Sequence, residues 1–252
     1  MTKVRGLRIA TAGGALLVDP DILGEGAPSP SGAEIDALFE PALWKGRGEL
    51  VDVTGGRGAA WFIASAARQW ALRHYRRGGF IARLSKDGYV WAGEERVRSF
   101  AEWRLLADLV RRGLPVPAPI AARYRRQGLL YRCDLITRRI ADARPLSAEL
   151  SVAPLQESAW RDVGATVAKL HAAGADHADL NAHNILRDAA GAVSVIDFDR
   201  GKLRAGPGRW ESRNLSRLRR SLLKVTRDLP PDRFPAAAWE WLLAGYASAH
   251  RR

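Results

Sequence analysis

Three residues in the second half of the chain have the types and spacing to move a phosphoryl group. Asp179 and Asn184 lie five apart in the stretch HADLNAHNIL, and Asp197 follows eighteen residues after Asp179 in VIDFD. A carboxylate can orient an acceptor hydroxyl and take up its proton, while an amide one tight loop later reaches a metal ion on the ATP phosphates. The second acid, at the end of an apolar strand, is the expected further metal ligand. Taken alone, the loop has a second reading, since a polar turn after a helix carries the same residue types for capping. Two motifs in this order, at hairpin separation, favour phosphoryl transfer. A zinc site is disfavoured. His171, His177 and His183 are six apart, which suits neither the i, i+4 helical pair nor the usual zinc spacings. Cys133 is the single cysteine, so there is no thiolate cluster and no disulfide framework. His177 is assigned to bracing the loop, and His183 is open to the acceptor or to solvent.

The spacing H-x-D-L-x-x-x-N, from His177 to Asn184, is the catalytic-loop pattern of protein-kinase-like enzymes, with Ala178 where protein kinases carry arginine. Asp197 stands where the D-F-G aspartate would, in an Asp-Phe-Asp triplet with glycine delayed to Gly201. Such a site also needs a phosphate cover and a charge clamp. Gly55, Gly56, Arg57 and Gly58 can lay a backbone-lined turn over phosphates. The same residues also read as an ordinary hairpin turn. Arg73 falls where kinases carry lysine, and it keeps the charge on a wider, planar donor. Lys86 lies beyond the glycine break, in the turn-like SKDGY, which leaves Arg73 as the candidate. Glu102, at the edge of the apolar face of the next helix, is its expected partner; a bare surface charge is the alternative.

The elements that must position these groups are legible from about residue 49. ELV and AAWFIAS read as strand, turn and strand, and QWALRHY as a third strand. RSFAEWRLLADLVRRG places Phe100, Trp103, Leu106 and Val110 at helical spacing, and Gly113 with Pro115 stops it. PIAARYRRQGLLYRCDLIT reads as a hairpin turning at Gln127 and Gly128. Beyond the polar link near Arg138, QESAWRDVGATVAKLHAAG, ESRNLSRLRRSLLKV and AAAWEWLLAGYASAH are helices, and AVSVID is a short buried strand. The expected organisation is an N-terminal extension of uncertain structure (1–48), a strand-rich N-lobe (49–140) and a helical C-lobe with the catalytic loop (141–252).

A formal charge of +13, carried mostly by arginine with only six lysines, implies an anionic partner or a genome rich in arginine codons. Arg213, Arg217, Arg220 and Lys224 fall on one helical stripe that could rest on an anionic membrane. The alternative is a solvated face on a core-packed helix. The N-terminal apolar run is far short of the roughly 18 residues a membrane span needs and lacks a signal-peptide pattern. The expected compartment is therefore cytoplasmic.

Taken together, GGRGAAWFI, LRHYRRGG, RSFAEWRLL, GLPVPAPIAA, YRCDLIT, HADLNAHNIL and VIDFD resemble the Kdo kinases (3-deoxy-D-manno-octulosonic acid kinases) of lipopolysaccharide assembly, over about residues 50–200. The resemblance implies an α+β, protein-kinase-like bilobal fold with a small antiparallel-sheet N-lobe and a mainly helical C-lobe. It implies ATP and Mg²⁺ as cofactors and the 4-hydroxyl of a Kdo residue on Kdo-lipid A as acceptor. The implied location is the cytoplasmic face of the bacterial inner membrane, where the protein would be peripheral on the anionic surface. Asp179 becomes the catalytic acid, Asn184 and Asp197 the magnesium ligands. Two other readings compete. Phosphotransferases of aminoglycoside or choline type take cationic acceptors, which the basic excess opposes. A nucleic-acid-binding or pseudokinase scaffold is opposed by the intact acid positions and by arginines not interleaved with aromatic residues, so no nucleic-acid partner is expected.

Overall fold

Short apolar runs punctuated by turn residues make the first half of the chain a sheet, and longer runs of helical period make the second half helical. The computed structural model describes residues 6–20, 30–51, 60–65, 68–76 and 87–250. The chain divides into two compact units, Met1–Arg111 with Ala118–Arg139, and Arg112–Pro117 with Ile140–Arg252.

The first unit contains β1 (Leu7–Thr11), β2 (Gly14–Val18), α1 (Gly32–Ala37), α2 (Pro41–Gly46), β3 (Leu50–Val51), β4 (Ala60–Ala64), β5 (Gln69–His74), β6 (Tyr89–Val90), α3 (Arg98–Arg111), β7 (Pro119–Gln127) and β8 (Leu130–Arg138). Its strands form an antiparallel sheet in the order β1-β2-β7-β8-β5-β4-β3, with β6 on β8. Side chains alternate across a strand, and β5 shows the consequence. Trp70 and Leu72 point into a core with Ile63, Ile136, Ile35, Phe39 and Trp44, whereas Arg73 points to the opposite face. The first 48 residues, which carry no legible pattern as sequence, belong to this unit. β1 and β2 extend the sheet, and α1 and α2 supply Ile35, Phe39 and Trp44 to its core. Ser31 and Glu34 close a capping box at the start of α1, and Pro41 occupies the first turn of α2.

The second unit contains β9 (Arg144–Pro145), α4 (Leu146–Val152), α5 (Glu157–Ala172), β10 (Ala175–Asp176), β11 (Ile185–Arg187), β12 (Val193–Val195), β13 (Lys202–Leu203), α6 (Arg209–Val225) and α7 (Ala236–His250). α5 and α7 approach until their backbones touch. A Cβ built on Gly164 would lie 1.9 Å from the Leu242 carbonyl oxygen, and one on Gly245 would lie 2.1 Å from that of Arg161. Among the described residues, no helix is long and apolar enough to cross a membrane.

Candidate active site

The loop between β10 and β11 carries Asp179 and Asn184, and strand pairing explains how Asp197 comes beside it. β11 and β12 are antiparallel with Ile185 opposite Val195. The residue before one strand and the residues after the other therefore meet, and the Ile196 amide donates to the Asn184 carbonyl at 2.9 Å. His177 joins the same two segments. Its Nδ1 accepts from the Asp179 amide at 3.1 Å, so its Nε2 carries the proton and donates to the Ile196 carbonyl at 2.9 Å. Burial pushes the His177 pKa down, which keeps the imidazole neutral and preserves this tautomer. The ring also lies against buried Phe198, with centroids 4.6 Å apart.

Within the loop, the Asn184 amide nitrogen donates to the Asp179 carbonyl at 3.0 Å. A carbonyl can only accept, so this bond fixes the amide orientation and leaves Oδ1 as the side chain's acceptor atom. Asp197 sits at φ 63°, in the left-handed region that a short polar side chain tolerates better than most. Such backbone conformations concentrate where a side chain must be aimed. Asp179 itself is 61% exposed, accessible to an acceptor. Its Oδ2 accepts from Asn181 Nδ2 at 3.1 Å and its Oδ1 from Arg217 Nη1 at 3.3 Å. Two hard oxygen donors of this kind, one amide carbonyl and one carboxylate, suit Mg²⁺, which keeps its remaining positions for phosphate and water. No cluster of three His, Cys, Asp or Glu side chains able to hold a metal occurs among the described residues.

In the sheet unit, the structure brings Arg73 and Glu102 into an ion pair. β5 aims Arg73 at α3, and Glu102 lies on the buried side of that helix with its side chain 2% exposed. Tyr75, not singled out from sequence, completes the cluster. Its hydroxyl donates to Glu102 Oε2 at 2.5 Å and accepts from Arg73 Nη2 at 2.9 Å. Burial raises the Tyr75 pKa well above the ordinary phenol value, so it remains a donor. The Arg73 guanidinium also lies over the Tyr75 ring, 4.5 Å from its centroid. Gly55, Gly56, Arg57, Gly58 and Lys86 lie outside the described residues.

Two further residues of the helical unit escaped the sequence, and a third was read for a different role. Asn181 ties the loop together, its Oδ1 accepting from the His183 amide at 2.8 Å and the Asn184 amide at 3.2 Å. Asparagine two residues after the acid is a turn signal that could have flagged it. Ser221 of α6 accepts from the Ala182 amide at 3.1 Å. Arg217 belongs to the stripe expected to face a membrane, yet its guanidinium turns to Asp179.

Antiparallel sheet with a part-buried Arg–Glu pair, together with a helical unit whose Asp/Asn loop adjoins a strand-end acid, defines an α+β, protein-kinase-like fold. The chain belongs to the lipopolysaccharide kinase (Kdo/WaaP) family, whose model matches residues 41–246. This is a family of phosphotransferases that use an alcohol group as acceptor. Among its relatives, a 3-deoxy-D-manno-octulosonic acid kinase of Xanthomonas campestris pv. campestris (strain B100) is 52% identical over 188 residues, 75% of each chain. One from Xanthomonas axonopodis pv. citri (strain 306) is 48% identical over 212 residues, 84% of this chain and 81% of the relative. One from Xylella fastidiosa (strain 9a5c) is 48% identical over 188 residues, 75% of each.

Proposed function

We propose that the protein is an ATP-dependent kinase that phosphorylates the 4-hydroxyl of a Kdo residue on Kdo-lipid A, at the cytoplasmic face of the inner membrane. The observation that carries the reading is Asp179: a solvent-accessible carboxylate on a loop whose backbone is pinned by Asn184, Asn181 and His177. In the reaction, the acceptor oxygen bonds to the γ-phosphorus of ATP as the bond from phosphorus to the β,γ-bridging oxygen breaks. ADP leaves, and the hydroxyl proton passes to Asp179 and from there to water. Positioning and charge stabilisation do most of the work in such transfers, and help from a general base contributes about 10²–10⁴-fold.

Asn184 Oδ1 and the Asp197 carboxylate would hold Mg²⁺, which when bound neutralises charge on the phosphates. Arg73, oriented by Glu102 and Tyr75, is assigned to the ATP phosphates. Gly55, Gly56, Arg57 and Gly58 are assigned to the phosphate cover on sequence alone. The exposed Arg213, Arg220 and Lys224 of α6 support attachment to an anionic bilayer, where a lipid-anchored acceptor is found.

The test is ATP consumption by the purified chain with Kdo-lipid A, free Kdo, an aminoglycoside and RNA as separate additions. Turnover is expected with the Kdo acceptor and little with the aminoglycoside or RNA. Asp179→Asn should lose most turnover while ATP still binds; near-normal turnover in that variant would sink the assignment.

A further inference from the structure

The contact between Arg217 and Asp179 works against the role given to Asp179. The guanidinium occupies Oδ1, an oxygen that an acceptor hydroxyl needs. The geometry is that of a provisional pair. At 3.3 Å it is longer than the roughly 2.7–2.9 Å of a well-made charged hydrogen bond. It runs from one guanidinium nitrogen to one oxygen rather than as a fork, and the two side chains are 46% and 61% exposed. Exposed pairs of this quality hold weakly and exchange readily. α6 itself is fixed beside the loop, because Trp210, Asn214, Leu218 and Leu222 are buried on its other side and Ser221 is bonded to the Ala182 amide, so the guanidinium stays within reach of Asp179.

The acceptor chemistry supplies the group that would take the guanidinium. An octulosonic acid carries a carboxylate as well as hydroxyls, and a free carboxylate can meet the planar fork with two parallel N–H bonds. Asp179, tethered by its own loop and bonded to Asn181 through Oδ2, offers only Oδ1.

We infer that Arg217 is the residue that selects acidic acceptors: its guanidinium exchanges Asp179 for the acceptor's carboxylate, and the exchange frees Asp179 for the hydroxyl. The inference rests on the Kdo-acceptor reading. An acceptor without the carboxylate leaves Asp179 paired and is phosphorylated slowly, so the enzyme discriminates against neutral sugars through its own catalytic acid.

The experiment compares Kdo-lipid A with the same acceptor methyl-esterified at the Kdo carboxyl, using the full chain and saturating ATP. Wild type should prefer the acid by about 10- to 100-fold in kcat/KM, the range expected for a charged hydrogen bond. Arg217→Ala should lose that preference from both sides, raising the KM for the acid and, with Asp179 no longer paired, raising turnover of the ester. Arg217→Lys, a point charge without the fork, should fall between. An acid-over-ester preference that survives in Arg217→Ala, or an equal loss on both acceptors, overturns the inference. Wild type failing to phosphorylate Kdo-lipid A at all would overturn the acceptor reading instead. Arg217→Gln keeps a polar side chain without the charge, and matched thermal unfolding of all variants excludes a folding defect as the cause.

Discussion

Replacing Glu102 by Gln removes a buried charge and nearly nothing else. The carboxylate is 2% exposed and accepts from both Arg73 and the Tyr75 hydroxyl, the latter at 2.5 Å. After the substitution, Arg73, 23% exposed, faces a neutral amide in place of its counter-charge. A hydrogen bond to a charged group contributes about 1.5–3 kcal/mol against about 0.5–1.5 for a neutral one, and two such bonds change class. Removing one partner of a fully buried pair costs about 3–5 kcal/mol. Arg73 retains some access to water, so the expected loss is lower, about 2–3 kcal/mol. The assay is urea unfolding of wild type, Glu102→Gln, Arg73→Gln and the double variant, with ATP KM measured on the same proteins. The two sites should couple by about 1–2 kcal/mol, well above the roughly 0.5 kcal/mol scatter of independent sites. If the pair positions the ATP phosphates, the ATP KM should also rise about tenfold in Glu102→Gln, since an unanchored guanidinium must be ordered again by each nucleotide. Additive single variants would refute the clamp, and an unchanged ATP KM would refute its role with the nucleotide.

Two histidines should tilt the pH dependence of stability in opposite directions. The hydrogen bond that His74 Nδ1 donates to Asp134 Oδ1 at 2.6 Å raises the His74 pKa. Its contribution is therefore complete below about pH 6.5 and disappears as pH rises through the raised folded value, and His74→Gln should flatten that alkaline limb. Burial lowers the His171 pKa to about 4, so stability should fall by up to about 3 kcal/mol between about pH 6.5 and 4, and His171→Gln should remove that acid limb. Gly245→Ala should destabilise by about 1–3 kcal/mol although alanine is the better helix former, because the added Cβ meets the Arg161 carbonyl at 2.1 Å; a raised melting temperature would contradict the close helix contact. Changing Arg213, Arg220 and Lys224 together to Gln should weaken binding to anionic vesicles by about 3 kcal/mol, roughly two decades, and unchanged binding would remove α6 from the proposed membrane surface.

What was legible in the sequence is what a few neighbouring residues determine. The Asp179–Asn184 loop and Asp197 lie within nineteen residues and are joined by one short hairpin, so their spacing already carries the geometry. β5 and α3 were legible through their periods, and Arg73 and Glu102 followed from the order of those elements. The first 48 residues were not, because β1, β2, α1 and α2 are five or six residues long, too short for an amphipathic period to show. Tyr75 touches Glu102 from 27 residues away and Arg217 touches Asp179 from 38 away. In each case nothing local separates the residue from its neighbours; one reads as a strand-end aromatic and the other as a cation among cations.

Arg217 also changes how the charge of +13 is to be read. Composition treats every arginine as available to an outside partner, but many are occupied within the fold. Arg123, 6% exposed, reaches Asp134 at 2.9 Å and Glu40 at 2.7 Å. Arg187 meets Glu149, and Arg204 meets Asp176, both at 2.7 Å. Burying a guanidinium, as at Arg123, is tolerable only with such partners, and each of these pairs lies within one unit. In the proposed reading, an anionic acceptor would meet the exposed cationic face of α6, the helix that also bonds the Asp179 loop through Ser221. A helix that both attracted anions and touched Asp179 would tie recognition to the proposed chemistry, because an anion drawn to α6 would arrive beside that carboxylate. Net charge suggested that the partner is anionic; only the placement of individual guanidinium groups shows where its charge would be read.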